Sequence, residues 1–266
     1  MSPMKRRRGP TLIALTRDVS PSLARCELTH LSRESIDVER ARAQHRVYEE
    51  CLRSLGCDIR RVPEAPGLPD AVFVEDAAVV LEELAVITRP GAASRRDEVS
   101  SVAEALTPHR KLVEIEPPGT LDGGDVLVIG RGVFVGLSAR SDEDGARQLS
   151  AAVAPHGYTV RPLVVGSCLH LKTAVTRVAP ETVLLNPDWV DARAFDAFQR
   201  IEVDPNEPWG ANALEVGGAV VYPAAFPRTR DRLLRHGLDV REVDVSELAK
   251  AEGGVTCCSL VFGAGP

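Results

Sequence analysis

The sequence lacks the features that would place the protein in a membrane, in a secretory pathway or on nucleic acid. No stretch approaches the roughly 18 uninterrupted apolar residues that a membrane-spanning helix needs. The basic run at residues 5–8 is followed by Gly9 and Pro10 rather than by an apolar segment, so it does not indicate a secretory signal. The net charge of -6 is spread along the chain and leaves no basic stripe that could neutralise phosphates. We therefore expect neither a membrane nor a nucleic acid as a partner.

Motifs for metal and cofactor chemistry are also absent. The sequence contains no CxxC pair, no HExxH motif and no glycine-rich phosphate loop of the Walker or Rossmann form. Its six cysteines lack the chain length and the secretory context of a disulfide framework. The sequence therefore predicts a cytoplasmic protein with reduced thiols, whose reaction uses neither a metal nor an organic cofactor.

One structural unit recurs along the chain: two β-rich runs joined by a turn, then a polar stretch that leads into a helix. Three copies are clear, at residues 72–106, 126–153 and 213–237, and a weaker copy spans residues 170–198. The fifth copy is split, because residues 255–262 and 11–15 each lack a hairpin partner. Its helix is expected from near Ser35 to Gly56.

Pairing of the two terminal segments would complete a five-bladed α/β propeller and remove two exposed sheet edges, which invite aggregation. At 266 residues and 44% hydrophobic composition, the chain is long enough to bury a substantial core. We predict a single propeller domain over residues 11–266, preceded by a flexible basic segment at residues 1–10.

In a propeller, equivalent strand ends converge on one axial cavity. The polar residues at those ends become candidates for a single site, although they are far apart in the chain: Asp70, Glu75, Asp76, Asp122, Asp125, His170, Asn212 and Cys257. A thiol and an imidazole favour nucleophilic catalysis by cysteine, with histidine moving protons. Carboxylates oppose thiolate formation, so their presence predicts a cationic substrate. A guanidinium group fits, because it takes planar, bidentate carboxylate partners.

These residues also have a purely structural interpretation. Taken alone, Cys257 and Cys258 are more often small buried side chains than a nucleophile. Residues 122–125 suit a tight turn, since Asp and Gly favour such backbones. Glu75 and Asp76 are the strongest functional candidates, because two adjacent carboxylates between apolar runs are costly to bury unpaired.

Seven motifs follow one another along the chain: PDAVFVED (69–76), TRPGAASRR (88–96), TLDGGD (120–125), LSAR (137–140), HLKT (170–173), PRTR (227–230) and GGVTCCS (253–259). In this order they make the sequence resemble the dimethylarginine dimethylaminohydrolases, a family of the guanidine-modifying pentein superfamily. The resemblance covers nearly the whole chain. It implies the pentein fold, with pseudo-five-fold repeats around a central active-site cavity.

The resemblance also implies roles for individual residues. Cys257 would be the nucleophile, His170 the acid and base, and Asp122 the carboxylate that orients His170. The implied substrate-binding residues are Leu28, Asp70, Phe73, Glu75, Asp76, Arg95, Arg140 and Ala251. Arg95 or Arg140 would hold the substrate's α-carboxylate.

The implied activity is that of a dimethylargininase, a hydrolase of linear amidines. Asymmetric dimethylarginine or monomethylarginine would give citrulline and dimethylamine or methylamine, through a covalent thiouronium intermediate on cysteine.

Two alternatives remain open at this point. One is an arginine deiminase-like guanidine hydrolase of the same fold, although GGVTCCS lacks the longer glycine run before cysteine and the chain lacks the extra helical insertion of those enzymes. The other is a non-catalytic propeller that serves as a binding module, which would have no use for the Cys, His and acid set. The expected partner is a small methylated arginine, and assembly as a homodimer is left open.

Overall fold

The computed structural model describes residues 12–264, so the predicted basic segment at residues 1–10 lies outside the described residues. Within this range, fifteen strands form five separate three-stranded sheets. The strands are β1 (Leu12–Thr16), β2 (Cys57–Arg61), β3 (Ala78–Val80), β4 (Leu84–Ile87), β5 (Lys111–Glu114), β6 (Val126–Ile129), β7 (Gly132–Leu137), β8 (Thr159–Val164), β9 (Val175–Ala179), β10 (Thr182–Leu185), β11 (Gln199–Glu202), β12 (Leu214–Val216), β13 (Ala219–Pro223), β14 (Asp239–Val243) and β15 (Leu260–Gly263). The helices are α1 (Val38–Ser54), α2 (Val99–Leu106), α3 (Glu143–Val153), α4 (Leu171–Ala174), α5 (Pro227–Arg235) and α6 (Ser246–Ala249). No helix of this set is both long and apolar enough to cross a membrane.

All five sheets repeat one connection pattern. Two strands pair antiparallel, as a hairpin in four of the sheets, and a crossover then leads to a third strand that runs parallel to the second. In the sheet of β6, β7 and β8, for example, α3 makes the crossover and Gly132 pairs with Thr159. The sheet of β15, β1 and β2 joins the two ends of the chain, because β1 is antiparallel to β15 and parallel to β2. The predicted five-bladed α/β propeller is confirmed, as five small sheets rather than one closed sheet; that residues 11–266 form a single domain stays a prediction.

Local sequence signals place the helices and hairpins where they were expected. The carboxylate of Asp142 accepts a hydrogen bond from Gly145 N at 2.8 Å and caps α3, as a helix-starting Asp should. Asp37 caps α1 in the same way. The hairpin between β12 and β13 turns at Gly217 and Gly218, whose φ angles of +61° and +86° favour glycine.

Three expected elements are wrong in detail. Residues 72–77 were expected in a strand, but Val74–Ala77 forms a helical turn and the strand begins at Ala78. Residues 255–259 form a turn rather than part of β15. The helix expected after residue 191 is only the short turn Ala192–Phe195. Each segment is short, and periodicity over so few residues cannot separate a strand or a helix from a turn.

Apolar clusters fill the space between the sheets and the helices. The cluster around Tyr48 anchors the turn that carries Cys257. The hydroxyl of Tyr48 donates to Val255 O at 2.8 Å and lies 2.7 Å from Ser259 Oγ. Helix α1 thus fixes both ends of that turn.

Candidate active site

A short turn precedes the first strand of every sheet, and the five turns meet at the centre of the propeller. Each turn contributes one of the polar residues singled out in the sequence: Asp76, Asp122, His170, Asn212 and Cys257 precede β3, β6, β9, β12 and β15. The repeated blade geometry therefore explains how residues 181 positions apart, such as Glu75 and Thr256, come within hydrogen-bond distance.

Hydrogen bonds link each of these turns to the next and close a ring. The five links are Glu75 N to Cys257 O (3.1 Å), Gly124 N to Asp76 Oδ1 (2.9 Å), Leu171 N to Asp125 Oδ1 (2.9 Å), Asn212 Nδ2 to Lys172 O (3.1 Å) and Thr256 N to Asn212 Oδ1 (3.2 Å). Because buried backbone groups need such partners, the ring satisfies them while fixing the turns. The position of the Cys257 backbone thus depends on all five blades.

A small cavity of about 10 Å³ lies at this junction. Eight of the eleven site residues predicted from the sequence line it: Asp70, Phe73, Asp76, Arg95, Arg140, His170, Ala251 and Cys257. Gly253 brings the backbone close to it, since a Cβ at that position would lie 2.2 Å from the Phe73 ring. Four further lining residues had not been predicted: Glu27, Leu169, Glu252 and Gly253.

His170 and Asp122 form a buried acid–base pair. His170 Nε2 lies 3.0 Å from Asp122 Oδ2, and the other Asp122 oxygen accepts a hydrogen bond from Gly91 N at 2.9 Å. Asp122 is fully buried behind the imidazole and does not line the cavity, which fits the orienting role predicted for it. The opposite ring nitrogen, Nδ1, lies 3.9 Å from Asp76 Oδ1. Burial lowers the pKa of His170, but the charges of Asp76, Asp125 and Asp122 outweigh it and raise this pKa to about 9.

The Cys257 thiol is in the opposite situation. Burial raises its pKa to about 12, and the carboxylates of Glu75 and Asp76 act in the same direction. A hydrogen bond from Gly254 N to Sγ at 3.3 Å offsets part of this effect. These shifts favour a neutral thiol and a protonated imidazole at neutral pH, both on the wall of the small cavity.

The two predicted arginines differ in what they already bind. Arg95 is buried, and its guanidinium donates to Asp76 Oδ2 at 2.6 Å and Glu98 Oε2 at 2.8 Å, as well as to two backbone carbonyls. Arg140 makes one side-chain hydrogen bond within residues 12–264, from Nη2 to Thr29 Oγ1 at 3.0 Å, and its Nη1 lies 3.8 Å from Asp122 Oδ2. Of the two cations, Arg140 keeps more donors for an added carboxylate. The charges of His170 and Arg95 overcome burial at Asp76 and lower its pKa to about 2, so this group stays ionised.

Glu75 does not line the small cavity. One oxygen of its carboxylate bonds to Lys172 Nζ, and the other accepts from Thr256 Oγ1 at 2.7 Å. Glu75 and Lys172 instead face a separate cavity of about 370 Å³. Through Thr256, Glu75 supports the turn that carries Cys257, and its direct contact with a substrate stays a prediction.

The chain near Leu28 covers the small cavity. Leu28 itself is half-buried and packs on the apolar cluster around Tyr48, while its neighbour Glu27 lines the cavity and donates its N–H to Asp70 Oδ2 at 3.0 Å. We call residues 27–31 the covering segment. Three of its N–H groups, those of Thr29, His30 and Leu31, donate to the Glu252 carboxylate at 2.9, 2.6 and 2.6 Å.

Glu252 acts as the latch of the covering segment, and no pattern in the sequence indicated it. It has a φ of +59°, which is uncommon for a residue other than glycine, and it directly follows Ala251 in the cavity wall. Glu252→Ala is expected to release the segment, since hydrogen bonds to a charged group contribute about 1.5–3 kcal/mol.

Limited trypsin digestion tests the latch. Cleavage after Arg25 and Arg33, which flank the covering segment, should become about tenfold faster or more in Glu252→Ala, because 1.4 kcal/mol corresponds to a factor of ten. Glu64→Ala, at an exposed loop position, is the matched control and should cleave like the unaltered protein. An unchanged cleavage rate in Glu252→Ala would contradict the latch.

Asp76, Asp122 and His170 present ligand atoms within 4.8 Å of one another, close enough to hold a metal ion. The same atoms already bond to the protein: Asp76 to Arg95 and Gly124, and Asp122 to His170. The pattern is that of a charge-balanced acid–base network, and a metal would have to displace those bonds.

Comparison with known proteins identifies relatives over most of the chain. The model of the arginine deiminase family matches residues 62–215. The N(G),N(G)-dimethylarginine dimethylaminohydrolase of Streptomyces coelicolor is 41% identical over 253 residues, covering 94% of this chain and 97% of the relative. The enzyme of the same name from Pseudomonas aeruginosa is 38% identical over 228 residues, covering 85% and 90%.

Solved structures of similar proteins superpose on most of this chain. A cysteine-to-serine variant of the Pseudomonas aeruginosa enzyme in complex with citrulline superposes with a TM-score of 0.90 at 36% identity, covering 94% of this chain and 98% of that one. An adduct of dimethylarginine dimethylaminohydrolase with S-methyl-L-thiocitrulline superposes with a TM-score of 0.89. The N-terminal domain of the arginine dihydrolase ArgZ, at 22% identity and a TM-score of 0.85, shares the fold.

Proposed function

The chain belongs to the dimethylarginine dimethylaminohydrolase family, and we propose that Cys257, His170 and Asp122 carry out its hydrolysis of Nω-methylated arginine to citrulline. The observation that carries the assignment of roles is the meeting of a thiol, an imidazole–carboxylate pair and an ionised Asp76 on one small cavity. A binding module would have no use for that set.

In this proposal, charge places the substrate. Arg140, with more free donors than Arg95, pairs with the α-carboxylate, and Arg95 holds Asp76 in position through its buried ion pair. Asp76 and Asp70 face the cavity and balance the guanidinium charge. Phe73 and Ala251 line the remaining wall.

The chemistry then takes two steps. The thiolate of Cys257 bonds to the guanidinium carbon, and the bond from that carbon to the methylated nitrogen breaks as the imidazolium of His170 protonates the departing amine. His170, now neutral, takes a proton from water, whose oxygen bonds to the same carbon. The carbon–sulfur bond breaks as the hydroxyl on that carbon gives its proton to the sulfur, which leaves citrulline and the neutral thiol of Cys257. Asp122 keeps the imidazole oriented through both steps.

The positive charge of the bound substrate favours ionisation of the Cys257 thiol. A thiol with a pKa of about 12 is almost entirely neutral in the unliganded protein, so a bound cation is needed to release its proton. Alkylation of Cys257 by neutral iodoacetamide should be slow at pH 7 and rise about tenfold per pH unit up to pH 8.5, because the thiolate fraction grows in that proportion below the pKa.

The cationic reagent chloroacetamidine should react much faster than iodoacetamide at pH 7, because its amidinium mimics the substrate charge. Peptide mass spectrometry follows both reactions, with Cys257→Ser as the control for labelling elsewhere. An iodoacetamide rate that is already on a plateau at pH 7 would show an ionised thiol and contradict this account.

Product analysis tests the function as a whole. Asymmetric dimethylarginine and monomethylarginine should give citrulline with dimethylamine and methylamine. Agmatine lacks the α-carboxylate, so binding it would leave Arg140 unpaired, and it should be a very poor substrate. Faster release of ammonia from arginine than of dimethylamine from dimethylarginine would identify an arginine deiminase instead.

A cytoplasmic location belongs to the same proposal. All six cysteines are free in the structure, and catalysis by a thiol is suited to a compartment that keeps thiols reduced. Assembly as a homodimer stays a prediction.

A further inference from the structure

Two cavities meet at Cys257. Besides the small cavity, a second cavity of about 220 Å³ lies beside the turn that carries Cys257. Both are lined by Leu169, Glu252, Gly253 and Cys257, so these four residues form the wall between them. We call the second space the apolar cavity.

Most of the remaining wall of this cavity is hydrophobic. Trp209, Pro223, Phe226 and Val245 contribute apolar surface from the last two blades, and Leu31 contributes it from the covering segment. The polar residues His30, Thr173, Asn212, Asp244 and Ser246 also line the cavity, but most of its surface is apolar. Such a pocket suits a hydrocarbon better than a second ion.

Cys257 lines the apolar cavity as well as the small cavity. The other predicted residues of the small cavity are at most 7% exposed, whereas Cys257 is only half-buried. The small cavity, at about 10 Å³, offers almost no room to account for that exposure. Among the predicted residues of the small cavity, Cys257 is the one that also lines the apolar cavity.

The leaving nitrogen of the substrate must sit between Cys257, which attacks its carbon, and His170, which protonates it. Leu169 directly precedes His170 and lines both cavities. Leu169 thus places apolar surface between that nitrogen and the apolar cavity. Two methyl groups, each about as large as a water molecule at roughly 30 Å³, would fill well under half of the apolar cavity.

We propose that the apolar cavity receives the Nω-substituent of the substrate and that the protein hydrolyses arginines whose Nω-alkyl group is longer than methyl. The inference rests on the proposed function and extends its substrate class to linear ethyl, propyl and butyl groups. The reaction keeps the same balance: the carbon–nitrogen bond to the alkylated nitrogen breaks, His170 supplies the proton, and water supplies the oxygen of citrulline. The alkylamine is the second product.

Substituted arginines test the proposal on the full-length protein. The kcat/KM for Nω-propylarginine should lie within about tenfold of that for asymmetric dimethylarginine. Ala225→Phe and, separately, Ala249→Phe narrow the apolar cavity, since both residues line it. Each should lower kcat/KM for propylarginine tenfold or more and change that for dimethylarginine less than threefold. Ala224→Phe is the matched control, because Ala224 is also exposed but does not line the cavity, and it should leave both values unchanged.

Three results would overturn the proposal, and they are distinguishable. Turnover of dimethylarginine without turnover of propylarginine would refute the inference and leave the proposed function standing. Equal losses for both substrates in the narrowed variants would show that the cavity serves a step common to all substrates. Failure to hydrolyse dimethylarginine itself would refute the proposed function, and the inference with it.

Discussion

Cys257→Ser is expected to abolish hydrolysis of dimethylarginine, with a loss in kcat of about a thousandfold or more, while Cys258→Ser retains most activity. A serine hydroxyl is far less ionised than a thiol, and removing a covalent nucleophile eliminates the intermediate on which both steps depend. Cys258 has the same chemistry but no access to the site, since its side chain is fully buried in the apolar cluster with Tyr48.

Each variant is the control for the other. Cys257→Ser should lose activity and keep its stability, whereas Cys258→Ser should keep most activity and lose stability. A hydroxyl in the apolar cluster should destabilise Cys258→Ser by about 1–3 kcal/mol, whereas the half-buried Cys257→Ser should unfold close to the unaltered protein. Steady-state kinetics and urea unfolding measure the two effects. Full activity in Cys257→Ser would end the assignment of the nucleophile.

His170→Gln is expected to lower kcat for dimethylarginine by about a hundredfold to ten-thousandfold, the usual contribution of a general acid–base residue. Glutamine keeps a hydrogen bond toward Asp122 but cannot protonate the departing amine. His45→Gln is the matched control: His45 is equally buried but lies in α1 outside the site, so it should lose stability and keep kcat.

A substrate with a different leaving group separates the two roles of His170. S-methyl-L-thiocitrulline releases methanethiolate, which departs without a proton, so the first step should survive in His170→Gln. The second step still needs a base to activate water. A covalent adduct should therefore accumulate on the enzyme and be visible in its intact mass. Rapid turnover of this substrate by His170→Gln would contradict the role of His170 as the base.

The repeat pattern of the sequence predicted the propeller because each hairpin carries its own local signals. The turn at Gly217 and Gly218 and the helix start at Asp142 were predicted correctly, since the positive φ angles of the glycines and the cap made by Asp142 involve only residues close together in the chain. The third strand of every sheet, such as β2 with the sequence CDIRR, was not predicted. It is mostly exposed and charged, and only its pairing with the second strand makes it a strand.

The sequence predicted most of the residues that line the small cavity, but not the hydrogen bonds and ion pairs that connect them. Cys257 and Cys258 are neighbours within one turn, and of the two only Cys257 lines the small cavity. The partners of Arg95 and the placement of Glu75 depend on contacts between blades, which no local pattern encodes. Glu252 looked like an ordinary loop residue, since its three hydrogen bonds reach more than 220 positions along the chain.

The most direct test of the account is to trap the covalent intermediate. Asymmetric dimethylarginine is mixed with excess enzyme and quenched with acid within milliseconds, and the digested protein is examined by mass spectrometry with fragmentation of the peptide that carries residues 257 and 258. We expect an adduct on Cys257 with the mass of dimethylarginine less dimethylamine. Citrulline formation with the adduct on Cys258, or with no adduct on any cysteine, would contradict it.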